Sequence, residues 1–446
     1  MTKCVRLLSC AVLLLCAATA HAQPATNAAA TWSGTTEQKV WGLMTVWAEA
    51  RYTFPHFERR PDLDWDRTVQ AYIPRVIAAP DMDAYYEVLS ELVALLKDGH
   101  TSVLPPWGHI KPGYDLAPIE VRILDGRFYV DRIGDAPELA AQGIRPGDEI
   151  LEIDGLPAGR HFAEKVLRYH AVNTPHGDEA FQTVYLLYGP AGERVALKTR
   201  RPDGASQDVA VTRDAMSGGA PFMTRMLGNL FDGPTIRTRM LPGGIQYVEI
   251  PNFNGMQASD DFAALVDSLD EQVVKGMIID VRYNMGGSSS VVAPMVGCLI
   301  DRPVTTPVMK FRHFIGAYEA WGKEPVWETA SNGIAPRAGK RYLGPLVVLT
   351  GGLTSSSSED FAIELRSGGR ARLVGERTCG SAGNGLSSPL PGGGTFTVGT
   401  FTALVPGGEE YVGVGVAPDI EARPTPADLV TGRDVVLDRA LELLGN

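Results

Sequence analysis

The sequence predicts a multidomain α/β protein: a helical N-terminal domain, a small β domain in the middle and an α/β core. Three observations carry this. Apolar residues recur at helical spacing up to about Lys97, short β-like runs fill the stretch from about Lys111 to Pro202, and strands alternate with helical patterns from about Pro234 onward. At about 150 residues per domain, a chain of 446 residues fits two or three such units.

The first 22 residues read as an export leader. Lys3 and Arg6 form a basic head, "LLSCAVLLLCAATA" an apolar centre, and Ala20-His21-Ala22 a small-residue cleavage site. Residues 23–35 read as a mobile spacer. No later run approaches the roughly 18 apolar residues of a membrane span, so a periplasmic or secreted protein is expected. Loss of Lys3 and Arg6 with the leader takes the net charge from −11 to −13. An acidic chain without basic blocks argues against nucleic acid or an anionic membrane surface as partner. Three of the five cysteines leave as well; Cys298 and Cys379 remain, too few for a disulfide framework.

In the domain expected over 36–110, "EQKVWGLMTVWAEARY" places Val40, Leu43, Met44 and Trp47 on one helical face. "MDAYYEVLSELVALL" does the same with Tyr85, Leu89, Leu92 and Leu96, while Pro55, Pro61, Pro74 and Pro80 punctuate the stretch between. The domain ends in "LKDGHTSVLPP". The β domain, expected over 111–203, contains "APIEVRIL", "GRFYVDRI", "DEILEIDG" and "RVALKTR". Within the core, 204–446, "GIQYVEIP", "GMIIDVR" and "GPLVVLT" read as buried strands, and "PADLVTGRDVVLDRALELL" as a closing amphipathic helix.

Chemistry concentrates in "LVVLTGGLTSSSSEDFAIELR", a strand, a Gly/Ser-rich turn and a helix. Such a corner exposes a side chain beside the positive end of a helix, where free N–H groups suit an oxyanion. Ser356-x-x-Glu359 is equally a capping box, in which the hydroxyl only satisfies an orphan N–H. Spacing alone leaves both open. No His/Cys/Asp spacing suggests a metal and no glycine loop ending in Lys-Ser/Thr suggests a nucleotide, so no cofactor is expected. His56 reads as a hydrogen-bonded, partly buried histidine rather than a cleft residue, and Asp280 with Arg282 either as a loop-shaping ion pair or as groups that position substrate.

Two resemblances add to this. "ELAAQGIRPGDEILEIDGLPA" closely resembles a PDZ domain through Gly143, Pro146-Gly147-Asp148 and Asp154-Gly155, which implies capture of an extended chain end by strand addition. "GMIIDVRYNMGGSS", "TSSSSEDF" and "LKDGHTSV" together resemble the tail-specific, or C-terminal processing, serine peptidases and their tricorn-core and retinoid-binding relatives. The resemblance implies a crotonase/Clp-peptidase-like core and a polypeptide substrate. Carried over by position, it implies Ser356 as nucleophile, with the Ser357 N–H and a glycine N–H of Gly286-Gly287 as oxyanion donors.

The tail-specific branch places a lysine base where this chain has Ser381. A serine is no base near neutrality, so His100 is the candidate, as in the tricorn-like branch. That branch orients its histidine with a glutamate where Val412 stands here. Two residues earlier, on the same face of a strand, Glu410 is the candidate orienter, with Asp98 and Thr101 as local alternatives. The expected activity is an exported serine endopeptidase; the rivals are a peptide- or lipid-binding relative without turnover and a hydrolase of non-peptide esters.

Overall fold

The computed structural model describes residues 32–109, 111–134, 137–215, 234–270 and 272–445; the expected leader and most of the spacer lie outside them. Among the described residues no helix is long and apolar enough to cross a membrane.

Three helices, Thr36–Thr53, Trp65–Ala78 and Met82–Ala94, form the N-terminal region, each started by a side-chain cap from Thr35, Asp64 or Asp81. The first helix is rotated from the face expected of it. Lys39, Gly42, Leu43, Val46 and Ala50 are buried, because the Lys39 stem packs inward and its Nζ reaches the carbonyl of Ala79 at 2.7 Å. Pro74 lies inside the second helix rather than ending it. This region does not stand alone: its core also takes in Leu390, Phe396 and Val398. Strand Ser102–Leu104 moreover pairs antiparallel with Thr395–Gly399.

The middle region is an antiparallel sheet with Ile119–Leu124 and Ser206–Thr212 at its edges and Arg127–Ile133, Glu149–Ile153 and Arg194–Arg200 between. The edge strand Ser206–Thr212 lies beyond the boundary expected at 203, since it completes a hairpin with Arg194–Arg200. Asp125-Gly126 and Asp154-Gly155 turn hairpins with positive φ at both positions.

The third region is built on a six-stranded sheet. Arg237–Leu241 pairs antiparallel at one edge; Ile245–Glu249, Gly276–Asp280, Leu346–Thr350, Arg372–Gly375 and Ile420–Glu421 follow in parallel. Alternation along these strands feeds two cores. Val248, Ile279, Val348 and Leu373 meet helices Met256–Ser268, Ser289–Gly297 and Ser357–Ser367 on one face. Ile245, Ile278, Val347 and Val374 meet Val436 and Ala440 on the other. The expected closing helix is two, Pro426–Thr431 and Val435–Leu443, because Gly432 takes a left-handed φ of 66° and Asp434 starts the second. Cys298 and Cys379 are both buried and free.

Candidate active site

Three neighbouring parallel strands end at one edge of this sheet, and the loop after each carries part of the site. Asp280 leads into Arg282–Gly287, Thr350 into Gly351–Ser356, and Gly375 into Glu376–Ser381. The C-terminal edge of a parallel sheet is where such folds place their chemistry. A buried ion pair of Arg282 with Asp280, extended to Asp434, fixes the first loop at its root.

Ser356 opens the helix Ser357–Ser367 with φ 56° and ψ −131°. A side chain in that conformation costs about 1–3 kcal/mol and persists only where the surroundings impose it. Here they do: the Ser356 N–H donates to the Ser381 carbonyl at 2.7 Å and to Glu359 Oε2 at 3.2 Å. The Ser358 hydroxyl donates to the carbonyls of Asn284 and Ser355, and the Ser355 hydroxyl to that of Met285. The neighbouring serines thus build the turn, and the Ser356 hydroxyl faces elsewhere.

It faces His100. Ser356 Oγ lies 3.2 Å from His100 Nε2, across 256 positions of sequence. On the other side of the ring, Ser381 Oγ lies 3.1 Å from Nδ1. An imidazole that accepts from Ser356 at Nε2 carries its proton on Nδ1, and Ser381 is then its acceptor. Gly99 makes room for this contact, since a Cβ there would stand 2.6 Å from Ser381 Oγ. Burial lowers the pKa of His100 below its ordinary value, and the nearby charge of Asp98 opposes that only in part. The neutral ring is therefore favoured near pH 7. Activity that needs the neutral ring should fall on acidification with an apparent pKa below the ordinary ~6.5 of histidine; a kcat/KM profile reads it.

Glu410 is turned away. Its carboxylate pairs with Arg59 Nη2 at 3.0 Å, and residues 412–414 form a turn, with Gly413 at φ 76°. The alternation that would aim Glu410 along a strand is broken there. Val412 itself is buried in the core. Asp98 accepts from Thr101 Oγ1 and Asn173 Nδ2.

Of the two loop glycines, Gly286 does not have a free donor. Its N–H is bonded to Asn284 Oδ1 at 2.8 Å, while Asn284 Nδ2 holds the carbonyl of Ile250. Gly286 is needed for its missing side chain instead: a Cβ there would lie 2.7 Å from Ser356 Cβ and 3.1 Å from the Ser357 nitrogen. Gly287, at φ 144°, follows as an exposed residue. The Ser357 N–H belongs to the first helical turn, whose donors lack intrahelical acceptors.

Sequence reasoning missed the residue that ties these parts together. Glu359 is fully buried and accepts from Thr378 Oγ1, the Gly380 N–H, the Ser381 N–H and the Ser356 N–H. Burial pushes its carboxyl up to about 8 against the opposing bonds from Thr378, Gly380 and Ser381. A second set of ties comes from the middle region. Asn173 Oδ1 accepts the Gly99 N–H, Thr174 Oγ1 donates to the Cys379 carbonyl, and His176 Nε2 lies 2.8 Å from the Thr378 carbonyl. One short segment therefore holds both the His100 loop and the Ser381 loop.

Residues 244–422 match the model of Peptidase family S41. The chain is 25% identical over 403 residues to carboxyl-terminal-processing peptidase 3 of Arabidopsis thaliana, covering 88% of this chain and 70% of that one. It is 26% identical over 400 residues to tricorn protease homolog 1 of Streptomyces coelicolor, covering 85% of this chain and 33% of that one. A carboxy-terminal processing protease of Bacillus subtilis is 23% identical over 280 residues, 63% of this chain and 50% of that one. The chain thus spans from a third to 70% of the length of these relatives. Among solved structures, mature CPAF complexed with lactacystin superposes with a TM-score of 0.69 at 19% identity, covering 92% of this chain and 98% of that one. The photosystem II D1 C-terminal processing protease does so with a TM-score of 0.50 at 18% identity, covering 92% and 97%. At that identity the likeness is one of fold. Ser356, Glu359 and Ser381, with the sheet edge that carries them, lie inside residues 244–422, the segment that matches the serine-type Peptidase family S41.

Proposed function

We propose that this chain is an exported serine endopeptidase that hydrolyses peptide bonds through an acyl-enzyme on Ser356, with His100 as its base. The observation that carries the reading is the 3.2 Å approach of Ser356 Oγ to His100 Nε2 from a strained backbone position. The Ser356 oxygen attacks the scissile carbonyl carbon while its proton passes to Nε2. The Ser357 and Gly287 N–H groups receive the negative charge that forms on the carbonyl oxygen. Collapse of the tetrahedral adduct breaks the C–N bond, and the imidazolium gives its proton to the departing amine. Water then repeats the sequence on the ester. Ser381 is a positioning residue, holding the ring by Nδ1.

The middle region is read as PDZ-like and the core as crotonase/Clp-peptidase-like. A cleft of roughly 710 Å³ supports capture of a chain end. It runs between the edge strand at Ile119 and Val121 and the helical segment at Ala180 and Thr183, and Gly352 and Leu353 in its wall lead on to Ser356. An edge strand offers unpaired backbone groups to an added peptide. The leader over residues 1–22 supports a periplasmic or secreted location.

A fluorophosphonate probe on the purified protein tests the reading. Ser356 should be labelled, labelling should vanish in Ser356→Ala, and the unmodified protein should cut an unfolded polypeptide. A wild type that takes no label overturns it and leaves the non-catalytic binding role.

A further inference from the structure

Ser357, Asp360 and Glu364 stand at i, i+3 and i+7 of the helix that begins after Ser356, within one narrow stripe of its surface. Ser357 and Glu364 are each 2% exposed, and Ser357 Oγ and Glu364 Oε2 are buried with no hydrogen-bond partner. Asp360, between them, is only partly buried. Its oxygens are met by hydroxyls alone: Tyr411 donates to Oδ1 at 2.9 Å and Ser289 to Oδ2 at 3.3 Å. Among the described residues no Lys, Arg or His pairs with it. A buried polar atom left unpaired costs about 1–3 kcal/mol. Two of them flanking an uncompensated carboxylate point to a ligand that supplies donors and positive charge.

The position fits one part of a substrate. Ser289 follows Gly287 by two residues, and Asp360 sits three residues, about 4.5 Å along the helix axis, beyond the N–H proposed to hold the oxyanion. The stripe therefore lies between the two oxyanion segments, against the residue whose carbonyl is attacked. We infer that Asp360, backed by Ser357 and Glu364, lines the pocket for the side chain on the acyl side of the cleaved bond, and that this side chain is Lys or Arg. This rests on the peptidase reading above and adds its substrate class. Burial pushes Glu364 up to about 9 and Asp360 only to about 6, so at pH 7.5 the pocket carries one negative charge, on Asp360.

Peptidyl diphenyl phosphonates that differ only in a lysine-like or leucine-like side chain at that position test this through the rate at which they label Ser356. The basic probe should react at least roughly tenfold faster with wild type. In Asp360→Asn, checked for wild-type circular dichroism, the ratio of the two rates should fall at least tenfold, and in Asp360→Glu it should stay above that of the amide. A wild type that prefers the leucine-like probe, or a ratio unmoved by Asp360→Asn, overturns the assignment. Should Asp360→Asn not fold, Asp360→Ser replaces it and must lower the ratio. If a simple fluorophosphonate labels Ser356 while the ratio is insensitive, this inference alone fails; if Ser356 takes no label at all, the peptidase reading fails with it.

Discussion

His100→Ala is expected to lower kcat/KM on a peptide substrate by ~10²–10⁴-fold and to abolish fluorophosphonate labelling of Ser356. Ser356 Oγ lies against His100 Nε2, and Ser381, on the other side of the ring, is no base at neutral pH. His100 is half-buried, so the loss of its ring should change stability by no more than about 1 kcal/mol, and thermal unfolding separates a chemical effect from a folding one. Ser381→Ala should cost less, because it loosens the ring without removing it. Labelling that persists in His100→Ala would assign the base to another group.

Gly286→Ala is expected to lower kcat by ~10²–10³-fold, as the loss of an oxyanion contact does. The methyl would stand 2.7 Å from Ser356 Cβ and 2.9 Å from the Ser355 carbonyl oxygen, on a backbone at φ 102°. Neither neighbour is a flexible side-chain end, so the nucleophile turn or the glycine loop must shift. The shift should cost about 1–3 kcal/mol in stability, visible as an earlier thermal midpoint. Full activity at an unchanged midpoint would show that the two loops do not need their close approach.

Much of this was legible in the sequence because the signals are local. Buried strands announce themselves as apolar runs such as "GMIID" and "LVVLT", and the Gly/Ser corner can be read off one stretch. The Asp-Gly turns at 125–126 and 154–155 follow from the residues that tolerate positive φ. The orienter of His100 was not legible. Ser381 lies 281 positions from His100, and nothing in "GSAGNG" marks one hydroxyl for an imidazole. Glu410 was proposed on a strand's alternation, which requires a strand, and Gly413 bends the chain into a turn where the pattern stops. The face of the first helix went astray similarly: a lysine reads as exposed until its stem and the Ala79 carbonyl are both in view. The role of Glu359 was hidden by its obvious one. As a capping glutamate it needs one N–H, and its other three donors come from residues 378–381, beyond the helix it starts.

The ties from Asn173, Thr174 and His176 to the loops at 99 and 378–379 bear on the life of the molecule before it is finished. His100, the clasp at 173–176 and Ser356 are made in that order as the polypeptide lengthens. A chain still being synthesised therefore lacks the parts that bring Ser356 against His100, and the site closes only once the loop at 378–381 has been added. The order of synthesis alone keeps the unfinished chain from assembling it.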